Sequence, residues 1–138
     1  MKPMPHIVAL MTPFPNMIEA SQTVHDARVL MATQAIRHLP VVSEGRLVGL
    51  LTDRDLKLAL AVSGAPDAEE TLHVGDVCNL EAYIVEYDTP IDIVVRHMTE
   101  ERLGSAMVTR NGRLVGILTT TDVCRHYAEL LKMAYPDA

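Results

Sequence analysis

The chain has 138 residues and a formal net charge of −6, with 49% hydrophobic and 22% charged residues. This length suits one compact domain, and this composition is typical of a folded protein rather than a disordered one. The acidic balance and the scarcity of aromatic residues (one Phe, four Tyr, no Trp) argue against nucleic acid as the main partner.

The N-terminal region contains one short apolar stretch, residues 7–11, between Pro5 and Pro13. It is too short for a signal peptide, and the chain has no apolar run long enough to cross a membrane. Cys78 and Cys124 are not spaced as a redox or zinc motif, and the six histidines lack metal-binding spacings. We therefore expect a reduced, cytoplasmic protein that binds no metal and no membrane.

A short strand and a helix are the next predicted elements. Residues 17–20 are predicted to be extended, and a helix is predicted from about Thr23, where Thr23 and Asp26 match a capping box. Its buried stripe is predicted from apolar residues at helical spacing: Val24, Ala27, Met31 and Ala35.

A hairpin and a second helix follow. Strands are predicted at residues 39–43 and 46–52, joined across Glu44-Gly45, and the helix follows Thr52. Small and polar residues at 64–72 then predict a linker.

The same pattern then occurs a second time. Residues 45–55 recur as residues 112–122, an offset of 67, with eight of the eleven positions identical. The offset also aligns apolar positions upstream without a gap, which indicates a duplication. The second copy has three local signals: Thr89-Pro90 as N-cap and first helical residue, Asn111-Gly112 as a hairpin turn, and a helix from Thr119 to about Lys132.

Each copy is therefore predicted as β-α-β-β-α, within residues 7–63 and 73–133, and the fold class as α/β (α+β). One copy alone would bury too little apolar surface to be stable. We predict that two copies share a core and pack as one module about a pseudo-twofold axis.

The sharpest motif is Gly-apolar-apolar-Thr-x-x-Asp, which ends in Thr52 and Asp55 in the first copy and in Thr119 and Asp122 in the second. It lies where a strand ends and a helix begins, a place that favours an anion such as phosphate. The aspartate could accept hydrogen bonds from the two hydroxyls of a ribose. Because Thr-x-x-Asp is also a helix-capping pattern, spacing leaves both interpretations open.

Catalytic motifs are missing from the sequence. It has no G-x-x-x-x-G-K-[ST], no G-x-G-x-x-G and no G-x-S-x-G. We therefore do not expect an enzyme.

The repeats resemble a tandem pair of CBS domains, the family named for cystathionine β-synthase. The resemblance covers about residues 7–130 and rests on these segments and their second-copy counterparts: Leu39-Pro40-Val41-Val42, residues 45–56, Met11-Thr12-Pro13 and Val74-Gly75-Asp76-Val77. The chain departs from the family pattern at Cys78-Asn79, where Met-Thr is expected, and at Met107, where proline is expected.

The resemblance implies binding of an adenosine ligand (AMP, ADP, ATP or S-adenosylmethionine) in two clefts between the repeats. For the first cleft it implies Thr52 and Asp55, the cationic Arg37, His38 and Arg54, and an adenine wall from Tyr83-Ile84 and Leu103-Gly104-Ser105. For the second it implies Thr119, Thr121 and Asp122, with walls from Met17-Ile18 and Ile36-Arg37-His38.

The two copies differ in their predicted phosphate contacts. Arg37-His38 of the first becomes Gly104-Ser105 in the second, and Arg54 becomes Thr121. We therefore predict unequal sites, with the Asp55 cleft the tighter.

The sequence thus predicts a stand-alone regulatory module without a catalytic cofactor. An adenosine ligand would change the angle between the repeats or order residues 64–72, and an unidentified partner protein would respond. The resemblance also implies a homodimer formed by exposed helices. The alternative is an interaction scaffold with empty clefts, and a nucleic-acid binder is opposed by the acidic charge.

Overall fold

A computed structural model describes residues 3–137. The chain divides into two compact units. The first-repeat unit is Pro15–Ala82, and the second-repeat unit combines the described residues up to Phe14 with those from Tyr83 onward.

The described residues form seven helices and seven strands. The helices are α1 (Ile7–Leu10), α2 (Val24–Gln34), α3 (Asp53–Ser63), α4 (Ala68–Thr71), α5 (Val74–Val77), α6 (Ile91–Glu100) and α7 (Thr120–Ala134). The strands are β1 (Thr12–Pro13), β2 (Ile18–Glu19), β3 (His38–Ser43), β4 (Arg46–Thr52), β5 (Ile84–Glu86), β6 (Ser105–Arg110) and β7 (Arg113–Thr119).

Each unit contains one mixed sheet. In the first-repeat unit the order is β2-β3-β4, with β2 parallel to β3 and β3 antiparallel to β4. The second-repeat unit repeats this order as β5-β6-β7 and adds β1 beside β7. Both β-hairpins turn through two residues of positive φ, Glu44-Gly45 and Asn111-Gly112, as the sequence predicted for the second.

The leading segment of each repeat, with α1 in the first and α5 in the second, packs in the unit of the other repeat. Ile7 and Leu10 of α1 belong to the second-repeat core, whereas Val74 of α5 belongs to the first-repeat core. The amide of Val74 donates to the carbonyl of Gln22 at 2.8 Å, which fixes α5 to the first-repeat unit. The compact units and the sequence repeats therefore divide the chain at different residues.

Aliphatic and methionine side chains fill both cores, which agrees with a composition of few aromatic residues and eight methionines. Buried methionines include Met31, Met98 and Met107. Val24, Ala27 and Met31 form the buried stripe of α2.

Three local predictions need correction. Ala35 does not continue the stripe of α2, because it is exposed and ends the helix in the left-handed conformation, with φ of 53°. Thr89 does not cap α6, because Pro90 occupies the N-cap position and makes no side-chain cap. The predicted linker contains α4, whose Ala68 is buried and whose Glu69 pairs with Arg28.

No helix among residues 3–137 combines the length and apolar character needed to cross a membrane.

Two equivalent glycines, Gly49 and Gly116, allow the leading segment of each repeat to approach the β-hairpin of the other repeat. A Cβ added at Gly49 would lie 2.6 Å from the carbonyl oxygen of Asn79, whereas one added at Gly116 would meet only the side chain of Met11. A backbone atom held in a hydrogen bond cannot move aside, but a methionine side chain can change its rotamer.

We therefore expect Gly49→Ala to destabilise the protein by about 1–3 kcal/mol and Gly116→Ala by less. Urea unfolding of both variants measures the difference. Equal losses, or a larger loss for Gly116→Ala, would contradict this account of the packing.

Candidate functional site

The predicted ligand-binding residues are divided equally between the two units. The first-repeat unit holds Met17, Ile18, Arg37, His38, Thr52, Arg54 and Asp55, and the second-repeat unit holds Tyr83, Ile84, Gly104, Ser105, Thr119, Thr121 and Asp122.

Strand pairing brings part of the first set together at one end of a sheet, whereas Ile18 pairs with Val41 farther along β3. His38, the first residue of β3, pairs with Thr52, the last residue of β4. The amide of Asp53 donates to the carbonyl of Arg37 at 3.0 Å, which holds the start of α3 beside β3. Arg37, His38, Thr52 and Asp55 therefore lie around one strand-to-helix junction.

Thr52 and Asp55 form a capping box at this junction. The amide of Asp55 donates to Thr52 Oγ1 and the amide of Thr52 donates to Asp55 Oδ2, both at 3.1 Å. The capping interpretation of the motif is therefore confirmed. It uses one carboxylate oxygen of Asp55, and within residues 3–137 the other oxygen, Oδ1, accepts no hydrogen bond.

His38 adds a nitrogen without a partner to the same junction. Its Nδ1 atom is buried and makes no hydrogen bond within the described residues. Burial lowers the pKa of His38. The negative charge of Asp55 acts in the opposite direction, and the positive charge of Arg37 lowers the pKa further. His38 is therefore held toward its neutral form in a place where an anion would favour the charged form.

The arginines of this set are free to contact a ligand. Arg37 and Arg54 are both exposed, and neither takes part in an ion pair within the described part of the chain. Lys57, by contrast, pairs with Asp53 at 2.9 Å on the surface of α3.

The equivalent junction in the second-repeat unit has the same backbone geometry. Ser105, the first residue of β6, pairs with Thr119, the last residue of β7. The amide of Thr120 donates to the carbonyl of Gly104 at 3.0 Å. Asp122 completes a capping box with Thr119, as Asp55 does with Thr52.

Asp122 differs from Asp55 in having both carboxylate oxygens bound. Oδ2 accepts from the amide of Thr119 at 2.9 Å and from its hydroxyl at 3.0 Å. Oδ1 accepts from the hydroxyl of Thr12 at 3.2 Å and from Arg125 at 3.1 Å. The Asp122 residue is 5% exposed, whereas Asp55 is only partly buried.

Thr12 and Arg125 were missed by the sequence analysis. Thr12 lies 110 residues from Asp122, so no local pattern connects them. The 67-residue offset does carry a signal, because it aligns Thr12 with Asn79 and Arg125 with Leu58. Neither counterpart is the same residue type.

The predicted adenine walls have mixed accessibility. Met17 and Ile84 are exposed, whereas the side chain of Ile18 lies in the first-repeat core. Tyr83 stacks on His97 with ring centres 4.3 Å apart, and burial raises the pKa of its hydroxyl. Tyr83 and Ile84 thus place an aromatic and an aliphatic surface in the second-repeat unit.

An apolar cavity of about 150 Å³ lies in the second-repeat unit, and it includes Leu103 of the predicted adenine wall and Thr120 beside the second junction. It is lined by Val95, Met98, Thr99, Leu103, Thr120, Val123 and Cys124. The lining contains no charged group, so it does not match a phosphorylated ligand. Among residues 3–137, no cluster of three or more His, Cys, Asp or Glu side chains could hold a metal ion.

Solved structures similar to this chain include two that were determined with adenosine ligands. A Vibrio cholerae protein provisionally described as an acetoin utilization protein (AcuB) has 26% identity and a TM-score of 0.86, covering 98% of each chain. CBSX2, solved in complex with AMP, has 25% identity and a TM-score of 0.78, covering 91% of this chain and 97% of its own. The CBS domain pair of protein MJ0100, solved with 5'-methylthioadenosine and S-adenosyl-L-methionine, has 25% identity and a TM-score of 0.76, covering 89% and 99%.

One curated relative is the inosine-5'-monophosphate dehydrogenase of Thermoplasma acidophilum, which is 34% identical over 112 residues. The match covers 81% of this chain but only 20% of that enzyme, so the chain spans about a fifth of its relative's length. A family model described as CBS domain matches residues 7–62 and 74–129, most of the chain and one match to each sequence repeat. Together with the repeated junctions, these matches show that the chain belongs to the CBS domain family and contains two CBS domains in tandem.

Proposed function

We propose that this protein is a regulatory module that binds an adenosine nucleotide (AMP, ADP or ATP) at the Thr52–Asp55 junction. A separate partner protein would respond to the bound state. The observation that carries the proposal is the free Oδ1 atom of Asp55, at a junction that also holds the unpartnered Nδ1 atom of His38 and the exposed Arg37.

The chemistry of this junction suits the two polar parts of a nucleotide. A carboxylate oxygen that is not used by the cap can accept a hydrogen bond from a ribose hydroxyl. Arg37, Arg54 and a protonated His38 supply the positive charge that phosphates require. The start of α3 adds the favourable end of a helix dipole.

The solved structures of similar proteins support the ligand class. CBSX2 holds AMP, and the MJ0100 pair holds methylthioadenosine and S-adenosylmethionine. All three ligands share an adenosine group, but only AMP carries a phosphate. The cations beside Asp55 favour a phosphorylated ligand over S-adenosylmethionine, whose sulfonium is positive. Placement of the adenine on Tyr83-Ile84 and Gly104-Ser105 stays a prediction, as does the cytoplasmic location.

An interaction scaffold with empty clefts is the second candidate. It is favoured by the capping boxes, because Thr52, Asp55, Thr119 and Asp122 all have a role in helix capping without any ligand. Ligand binding therefore has to be tested against capping itself. The chain offers a control in the Thr23–Asp26 box, which has the same geometry but was predicted only as a cap.

We expect AMP, ADP or ATP to raise the melting temperature of the wild-type protein, because a ligand of the native state stabilises it. Asp55→Ala should abolish this rise, whereas Asp26→Ala should retain it. Both variants lose one capping carboxylate, so both should melt somewhat earlier than wild type without ligand. Differential scanning fluorimetry with each nucleotide and with S-adenosylmethionine measures the rises. If none of these compounds raises the wild-type melting temperature, the scaffold is the better account.

Protonation of His38 gives a second expectation. Because burial lowers the pKa of free His38, it is neutral near pH 7, and a bound phosphate would raise that pKa. Binding would then take up a proton, so nucleotide affinity should increase as the pH falls from about 8 to about 6. Calorimetric titration across this range should show a weaker pH dependence in His38→Gln than in wild type. The same dependence in both proteins would remove His38 from the site.

We propose that the module is a homodimer formed through exposed helix surfaces. Tyr127, Leu130 and Leu131 of α7 are exposed large apolar residues at i, i+3 and i+4, so they share one face of the helix. An exposed apolar face of this kind is typical of a protein–protein contact.

Light scattering should therefore give twice the chain mass of 15.2 kDa for the wild type. Leu130→Glu should shift the protein toward the monomer, because a charge would be buried in the interface. Leu80→Glu is the matched control, since Leu80 is exposed but lies outside the helices. A dimer that withstands Leu130→Glu would place the interface elsewhere.

A further inference from the structure

The Asp122 carboxylate has no oxygen left for a ligand. Its Oδ1 atom is bound by Thr12 and Arg125, and its Oδ2 atom by the backbone and hydroxyl of Thr119. We propose that Thr12 and Arg125 determine which of the two motif carboxylates takes the nucleotide, by occupying Asp122 and leaving Asp55 open. This inference rests on the proposed function, because it assigns the selectivity of the same motif.

Thr12 is held in this position by the backbone. β1 pairs with β7, with Thr12 opposite Ile117, and the amide of Phe14 donates to the carbonyl of Val115 at 2.9 Å. The backbone of Thr12 is therefore fixed beside Asp122. The contact is lost only if the Thr12 hydroxyl rotates away or β1 separates from β7. The pairing of β1 with β7 thus positions the Thr12 hydroxyl at the second-repeat junction.

Arg125 donates to the same carboxylate oxygen from α7. It lies three residues after Asp122 on α7, a spacing that brings side chains together on one helix face. Its side chain is 63% exposed, so it can move more readily than Thr12. A ribose hydroxyl at Asp122 would have to replace the hydrogen bond from Thr12, the charged one from Arg125, or both. Binding would gain only the difference in free energy between the new hydrogen bond and those it replaces.

The first repeat lacks both groups at the equivalent positions. Asn79, the counterpart of Thr12, makes the same backbone approach through its pairing with Leu50. Its side chain, however, accepts from the amide of Glu81 at 2.9 Å rather than reaching Asp55. Leu58, the counterpart of Arg125, is an exposed aliphatic residue that cannot donate.

The two junctions therefore have the same backbone arrangement and differ in two side chains that can be exchanged. Two variants remove donors from Asp122 and so open the second junction. They are Thr12→Val, which keeps the shape of the side chain and removes the hydroxyl, and Thr12→Val with Arg125→Leu. Closing variants place the second-repeat residues in the first repeat: Asn79→Thr with Leu58→Arg.

The test is calorimetric titration with AMP and, separately, with ATP. Wild type should bind one equivalent, lost in Asp55→Ala. Thr12→Val with Arg125→Leu should bind a second equivalent, and adding Asp122→Ala should remove it. Thr12→Val alone should bind the second equivalent more weakly than the double variant. The closing pair should weaken the first event by roughly tenfold or more, the loss expected when a ligand must displace one or two hydrogen bonds.

Each outcome decides between the two proposals. Binding at Asp55 in wild type without a second event in the opened protein would overturn this inference and leave the proposed function intact. A wild-type protein that already binds a second, Asp122-dependent equivalent would also overturn it. Absence of binding in every protein would overturn the proposed function and this inference together. If the opened protein shows a lowered melting temperature, the closing pair supplies the same test at Asp55, and unchanged affinity there would count against the inference.

Discussion

The hydrogen bonds between a threonine at the end of a strand and an aspartate three residues later fix both halves of this molecule. They begin α3 and α7, and they place each aspartate at the end of a sheet with one oxygen already bound to the backbone. Capping and ligand binding are therefore not competing uses of the motif. The cap orients the carboxylate, and a ligand can use only the oxygen that the cap leaves over.

The leading segment of the other repeat determines whether that second oxygen accepts a further hydrogen bond. Met11-Thr12 approaches β7 over Gly116, and Cys78-Asn79 approaches β4 over Gly49. A glycine leaves room for each approach, and the need is strictest at Gly49, where an added Cβ would meet the backbone of Asn79 rather than a side chain. The approach delivers a hydroxyl to Asp122 but an amide that turns away from Asp55. The backbone contact is the same in both repeats, but threonine in one and asparagine in the other determine whether the aspartate receives a side-chain hydrogen bond.

The repeat, the order of its elements and the three capping boxes could be predicted from the sequence, because each rests on local spacing or on direct self-similarity. The end of α2 could not, because Ala is a strong helix former and only the chain direction needed by β3 places Ala35 in the left-handed region. The helix α4 was missed because its four residues are stabilised by contacts with α2, through Arg28 and Glu69, rather than by their own pattern. Of the site, the residues on one strand-to-helix junction could be assigned, whereas Thr12 reaches Asp122 only through long-range pairing of β1 with β7.

A duplicated fold in which one motif is open and the other is bound by its own side chains has a defined binding behaviour. Two equal sites could couple to each other, because each ligand would bias the same equilibrium. With one open site per chain, the two motifs of a chain cannot couple to each other, and the effect of the ligand is set only by its difference in affinity for the two states. The hydrogen bonds at Asp122 then have a structural role. They satisfy a carboxylate that is almost fully buried, which would be costly if left without partners. The two copies have thus diverged in role. The Asp122 junction contributes to stability, whereas the Asp55 junction keeps a partly exposed carboxylate, an unpartnered imidazole and two arginines that a ligand can contact.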